Sequence, residues 1–524
     1  KGQFEQAAGR FLQAERIDPD YAELQFRMGR CYWALGRFAQ AKDRYVKARE
    51  LDTLRFRADT RINGIIRRVA EGRPDQGIHL VDSLQLIEAN SPNATPGKEL
   101  FYEHVHLNFR GNYLVARAIF QQVQKVVPEW VIRQASGRPI LTEQGCARRL
   151  AYTGWDRLMI AEKLVKQMRK PPFTNQLGNT EAVGKLKQEA DMLKFRYARR
   201  ENQQEVVAQY KAALEDDSAH WSLHDGYAEF LLDGLQNPQE AEKHWRLAIR
   251  QCPQSAVELS RLAKALVSQG KHAEAETYYR RALIYDPRST TRLSNLGIAL
   301  LRQGRRDQGI RYLEEAIEID PLNAMAHSNL GVGLAQTDDP AFHQQALLHL
   351  EKAIDINPDL IRARENLATY CTKEAMRQVA DGEKGHAREL LEKAVGLMPD
   401  AVSALHNLAV LLNEEGAQEG AIEHLSRILQ IDPENRKARE GLASIYFEQG
   451  TTHAQKGNLQ QAREKLKQTV VLVPGWAQAH FVLSSIHHQL GDDEGSLRHL
   501  KQTVRIDPNH EKAQEILRRT GEVW

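Results

Sequence analysis

The stretch PRSTTRLSNLGIALLRQGRRDQGIRYLEEAIEIDP, residues 287–321, decides how the chain is read. Leu296-Gly297 marks a first helix, and Gly309 with Ala316 marks a second. Small residues at those places let two antiparallel helices approach closely, while Leu313 fills the gap between one pair and the next. Pro321 ends the second helix, because it lacks an N–H and forces the residue before it out of helical geometry.

Working outward, the same ending recurs at Cys252-Pro253, Asp286-Pro287, Asn357-Pro358, Met398-Pro399, Asp432-Pro433, Val473-Pro474 and Asp507-Pro508. From Pro253 onward, successive prolines of this set lie 34, 34, 37, 41, 34, 41 and 34 residues apart. The first-helix pair recurs as Leu262-Ala263, Leu330-Gly331, Leu367-Ala368 and Leu408-Ala409. The small second-helix residues recur as Ala275 with Ala282 and Ala346 with Ala353, around the bulky Tyr279 and Leu350. Seven extra residues make about two helical turns, so a helix can lengthen in the longer units without rotating its apolar stripe off the core. Residues 375–382 and 450–457 have the character of such inserts.

Spacing and residue type together resemble the tetratricopeptide repeat family. The resemblance implies an all-α fold, a superhelical solenoid of paired antiparallel helices. About nine units are expected over residues 183–510, with a polar capping helix in 511–524 that covers the last apolar face. Gly309 departs from the family's usual alanine, as does Val206 in a weaker unit before Ser218. Residues 1–55 also read as repeat units. Gly2-Gln3-Phe4 through Asp18-Pro19 forms the back half of one unit. Met28-Gly29, Gly36, Ala41, Tyr45 and Ala48 mark the pair that follows.

The period then fails. Residues 60–71 (TRINGIIRRVAE) predict an amphipathic helix, 77–82 (GIHLVD) a short strand, and 91–97 a loop rich in Pro, Gly and Asn. The segment from Leu100 through Glu103, His106 and Asn108 to Tyr113 then runs into a helix over 114–127. This succession over residues 56–128 resembles the C-terminal end of an SGNH/GDSL-type ester hydrolase, a small α/β remnant within the solenoid. The resemblance implies that Glu103 and His106 are an acid-x-x-His pair, the carboxylate holding the imidazole so that its other nitrogen deprotonates a serine. The family usually has Asp where Glu103 stands. Its serine, glycine and asparagine blocks precede the histidine, so they are expected upstream of Lys1. Val81-Asp82-Ser83 is the nearest imitation of the serine block, without its glycine. The whole arrangement resembles bacterial proteins in which repeats are inserted into a hydrolase-like domain, with residues 129–182 as a helical connector. The plainer reading of His106 is a packed, hydrogen-bonded side chain. His79, His104 and His106 lack a convincing further ligand, so no metal is expected.

Directly before the Leu-Gly or Leu-Ala pair, four consecutive units carry Asn295, Asn329, Asn366 and Asn407. Stacked helical pairs leave a concave groove lined by first helices. An asparagine side chain both donates and accepts, so a ladder of four suits the backbone of an extended peptide. Ser294, Ser328 and His406 flank the ladder, which stops at Gly441 and Val482. The alternative is that these asparagines cap or bridge helices.

Composition excludes several classes. The 72 basic and 69 acidic residues nearly cancel, leaving a net charge of +3 and no electrostatic footprint for nucleic acid. The four cysteines, Cys31, Cys146, Cys252 and Cys371, lie far apart with no CxxC pair, which argues against a disulfide framework or a zinc site. No apolar run approaches the ~18 residues that a membrane-spanning helix needs. The sequence therefore reads as a scaffold for a protein or extended peptide, with no cofactor. Its alternative is the C-terminal part of an ester hydrolase or acyltransferase. The compartment stays open between the bacterial cytoplasm and cell envelope.

Overall fold

A computed structural model describes residues 2–52, 58–71, 73, 76–103, 106–134, 140–171, 173–336 and 340–520. The chain divides into two compact units, residues 1–248 and 249–524. In the first, α1 (Gly2–Glu15), α2 (Ala22–Ala34) and α3 (Phe38–Leu51) pack around Met28, Cys31 and Ala41. Then come α4 (Thr60–Ala70), α5 (Ser83–Ala89), α6 (Phe109–Val126), α7 (Glu129–Gln134) and α8 (Glu143–Arg149). The unit continues through α9 (Gly154–Met168), α10 (Asn179–Tyr197), α11 (Arg200–Asp216) and α12 (Trp221–Glu229) into α13 (Pro238–Gln251), whose last turn lies past the division.

The second unit is a run of helical pairs. They are α14 (Ala256–Ser268) with α15 (His272–Tyr285), α16 (Thr290–Arg302) with α17 (Arg306–Ile319), and α18 (Ala324–Leu334) with α19 (Pro340–Ile356). Next are α20 (Ile361–Ala380) with α21 (Lys384–Leu397) and α22 (Val402–Glu414) with α23 (Gln418–Ile431). The last are α24 (Arg436–Gln455) with α25 (Leu459–Leu472) and α26 (Ala477–Gln489) with α27 (Asp493–Ile506), closed by α28 (Glu511–Arg519). Among the described residues every regular element is helical, as an all-α solenoid requires.

Two turns make each repeat. Between the helices of a pair, Gly270 and Gly304 both take φ +76°, a left-handed conformation that a side chain disfavours. The residue after each glycine then bonds back into the helix, Lys271 N–H to Leu266 O at 2.9 Å and Arg305 N–H to Leu300 O at 3.0 Å. Between pairs, the residue before proline is extended, with φ −136° and ψ 91° at Asp320. Its carboxylate accepts the amide of the second residue onward, Leu322 N–H at 3.1 Å. Asp432 and Asp507 do the same for Glu434 and Asn509. The Asp-Pro signature is thus a side-chain-capped turn, and not only a helix stop.

The core follows from the same repeat. Ala275, Ala282, Leu313, Ala316, Ala346, Leu350 and Ala353 are wholly buried. The inserts of the longer units extend first helices: α20 and α24 have 20 residues each where α14 and α16 have 13. Two added turns keep the buried face in line, so Ala375 and Gly450 fall back into the core.

The strand expected over residues 77–82 does not form. Residues 78–82 are irregular, and Asp82 instead caps α5 by accepting Gln85 N–H at 3.0 Å. A lone extended segment has no ladder to satisfy its amides, whereas a cap supplies a partner at once. The pairing nearest to a sheet among the described residues is an isolated bridge between Phe101 and Leu107, so the α/β remnant reduces to helices and loops. The amphipathic helix expected over 60–71 is α4, with Ile62, Ile65, Ile66 and Val69 each exposed.

Gly309 tests the closeness of the helical pair. An added Cβ there would lie 2.8 Å from Gly297 O and 2.9 Å from Leu301 Cγ, although the equivalent positions 275, 346, 387, 421 and 462 all carry alanine. Gly309→Ala should therefore destabilise the chain by about 1–3 kcal/mol despite matching its neighbours. Urea denaturation reads this directly, and an unchanged or raised midpoint would show that α16 and α17 can part without cost.

Candidate functional site

The first helices α16, α18, α20 and α22 contact one another in succession, which sets their asparagines side by side at one register. Arg292 reinforces the stack from α16. Its Nε donates to Ala256 O at 3.2 Å and Ser260 Oγ at 2.9 Å, and its guanidinium pairs with the Asp286 carboxylate.

The four asparagines are not equivalent. Asn295 and Asn407 are half-buried, and among the described residues neither side chain has a protein hydrogen-bond partner. Asn329 is 5% exposed, and its Nδ2 is buried without a partner. Asn366 Nδ2 donates to Ser328 Oγ at 2.9 Å, bridging α20 to α18. Ser294 and Ser328 are buried and stand behind the ladder, not along it. His406 is half-buried, and burial together with Lys437 pushes its pKa down.

One turn beyond each asparagine stands Ile298, Val332, Thr369 or Val410. Three-residue spacing puts each pair on one helix face. Thr369 and Val410 are exposed, whereas Ile298 and Val332 are half-buried. Each of these first helices thus carries an amide and, one turn on, a mostly apolar β-branched side chain. The signal was present in the sequence as a second repeated column, three residues after the first.

In the first unit, Glu103 and His106 do meet. Glu103 accepts from the His106 backbone N–H at 2.9 Å and also hydrogen-bonds the ring at Nδ1. The Glu103 side chain is 4% exposed and that of His106 is 56% exposed, so the second ring nitrogen belongs to an accessible imidazole. The surrounding motif has a structural reason. Asn108 caps α6 through Gly111 N–H at 3.0 Å, and Asn112 Nδ2 donates to Leu107 O at 3.0 Å. A Cβ on Gly111 would meet Leu100 O at 2.5 Å. Phe109 stacks on Tyr152 at 4.4 Å, and Tyr152 shares a hydroxyl bond with Tyr102 at 2.9 Å. Ser83 is the first residue of α5, His79 lies exposed in a loop, and His104 falls outside the described residues. Among the described residues no group of His, Cys, Asp and Glu is arranged to hold a metal ion. No described helix is long and apolar enough to cross a membrane.

A tetratricopeptide repeat model matches residues 1–55 and 266–331, and a second tetratricopeptide repeat model matches 372–436 and 447–511. No curated protein matches the chain. Among solved structures, YrrB, described as a TPR protein with an unusual peptide-binding site, is 21% identical with a TM-score of 0.28, over 37% of this chain and 95% of its own. Yeast Tom70 is 14% identical with a TM-score of 0.36, over 94% and 86% of the two chains. The human IFIT1 dimer with PPP-AAAA is 13% identical with a TM-score of 0.36, over 96% and 94%. The chain carries tetratricopeptide repeats in both its N-terminal and its C-terminal parts.

Proposed function

We propose that the chain is a scaffold that binds a protein through an extended peptide segment, held in the groove of α16, α18, α20 and α22. The observation that supports this most is the column of four asparagines at one register, with polar capacity left over at Asn295, Asn329 and Asn407. A buried amide without a partner is costly, and a ligand that supplies one recovers that cost. The β-branched residues beside the column take alternate side chains of the peptide, while the amides hold its backbone with little regard to sequence. On this reading the repeat array spans residues 183–510, capped by 511–524.

A second reading is favoured by the Glu103–His106 pair alone, that of an ester hydrolase or acyltransferase centre. The carboxylate fixes the ring through Nδ1, which is the orientation a general base needs. Histidine without an activated nucleophile gives only weak acid–base catalysis. We therefore expect this chain and its His106→Ala variant to turn over short-chain nitrophenyl esters at the same background rate. A large rate lost in His106→Ala would put a working catalytic centre in residues 1–524.

The groove is tested by titrating the chain with unstructured peptides of varied sequence and repeating the titration with asparagine variants. A hydrogen bond nets roughly 0.5–1.5 kcal/mol, because water competes for the same groups. Asn295→Ala or Asn407→Ala should weaken binding several-fold at unchanged stability, and the quadruple variant should abolish it. Asn366→Ala should also lower stability, by about 1 kcal/mol, since it breaks the bond to Ser328. Undiminished affinity in a folded quadruple variant would show that the asparagines only bridge helices.

A further inference from the structure

Three repeats hold a pair of histidines in the same place. The first histidine stands three residues before the Leu or Tyr of the first-helix pair: His224 in α12, His327 in α18 and His480 in α26. The second stands directly before the bulky residue of the second helix: His244 in α13, His349 in α19 and His499 in α27. Each pair meets through Nδ1, at 2.9 Å for His224–His244, 2.8 Å for His327–His349 and 3.0 Å for His480–His499. The Nε2 of the first histidine lies 2.9 Å from Ser218 O, 3.2 Å from Pro321 O or 3.1 Å from Pro474 O, the carbonyl six residues back in the turn.

A carbonyl only accepts, so the first ring carries its proton on Nε2 and leaves Nδ1 as a lone pair. The second ring must then donate from its own Nδ1. Each pair thereby ties the inter-repeat turn, the first helix and the second helix together, and it does so only while at least one of its two rings is neutral. A single added proton leaves the bond intact, because the other, neutral ring can accept it at Nδ1. Protonation of both rings sets two N–H groups face to face at about 3 Å, with two positive charges beside them. We propose that these three pairs are acid-sensitive latches, which hold their repeats closed at neutral pH and release them as the pH falls through the mildly acidic range.

Burial acts in the same direction, and the neighbouring imidazole adds to it: His244, His349 and His499 are each pushed down to about 4. The charged groups around the latches are few. Glu240 and Lys243 face His244. Lys352 faces both His327 and His349, with Asp320 near His327. Arg498, Lys467 and His487 face His499, and His487 is itself bound to Asp492 at 2.6 Å. Lysine and arginine oppose a further proton, and Glu240 and Asp320 only partly offset them. The sign follows. His244, His349 and His499 resist in the folded chain the protons that unfolded histidines take up near 6.5, so the latch contribution is complete above that pH and is lost as the pH falls toward 4.

The chain contains its own control. Gln25 occupies the first-histidine position in α2, donates from Nε2 to Pro19 O at 2.8 Å and accepts from Arg44 at 2.8 Å. Gln514 repeats the turn bond in α28, to Pro508 O at 2.6 Å. A glutamine therefore makes the latch contacts without titrating. The experiment is urea unfolding of the full chain at pH 7.5 and pH 5.0, in wild type and in a variant with all six histidines changed to Gln. Carboxylates that are held low, such as Glu276 and Glu374, are common to both proteins, so their contribution cancels in the comparison. Wild type should lose stability on acidification by on the order of tenfold in the unfolding constant per pair, and the variant should lose far less. Equal losses in the two proteins would overturn the proposal. If the variant does not fold at pH 7.5, the histidine ring resonances of wild type decide: rings of His244, His349 and His499 still neutral below pH ~5.5 support it, and their titration near 6.5 overturns it.

Discussion

Everything in the second unit depends on how near two helices of a pair can come. Gly297 and Gly309 face each other so closely that a single Cβ on either would press on the other's backbone oxygen, at 2.9 Å and 2.8 Å. Gly331 repeats the arrangement against Ala346 O. That approach leaves room for only one large side chain beside each small one, and Leu313 and Leu350 fill it with no exposure to solvent. Burial of these leucines drives each pair together, and stacking pair upon pair extends a shared core from Leu301 to Ile445. The column of asparagines is a by-product of the same geometry, because first helices that touch in succession carry equivalent positions side by side.

The turns carry the polar burden of this packing. Helix ends leave backbone groups unsatisfied, and a solenoid of paired helices has four such ends per repeat, meeting at two turns. Glycine at positive φ closes one turn with a backbone bond, and at Asp320, Asp432 and Asp507 an Asp-Pro turn closes the other with a carboxylate. The side chain three residues before the first-helix pair then takes up the carbonyl of that turn, as glutamine in Gln25 and Gln514 and as histidine in three other repeats. One structural demand, met by two residue types of different chemistry, gives the chain a solvation-neutral bond in some repeats and a titratable one in others.

The first unit shows how local bonding overrides a sequence pattern. An apolar run at residues 77–82 has strand composition, yet Asp82 ends it by capping α5 and pairing with Arg67 at 2.6 Å. The histidine motif reads as catalytic by residue type, and the Glu103 carboxylate does hold the His106 ring. Much of its context is explained by folding alone, since Asn108, Gly111 and Asn112 build the entry to α6.

The sequence by itself determined the repeat. Proline spacing, the small-residue columns and the glycine turns are local, so a periodic chain displays them plainly, and even the lengthened α20 and α24 follow from whole added turns. The register of Asn295, Asn329, Asn366 and Asn407 was legible for the same reason. Their individual states were not. Only the tertiary structure buried Asn329, tied Asn366 to Ser328 and left Asn295 and Asn407 half-open, because those differences depend on the neighbouring helix some 34 to 41 residues away. The histidine latches divide in the same way: each residue sits at a readable repeat position, but Nδ1 faces Nδ1 only once the two helices have closed on each other. Periodicity fixes which face a side chain occupies, and packing fixes what that side chain can still bind.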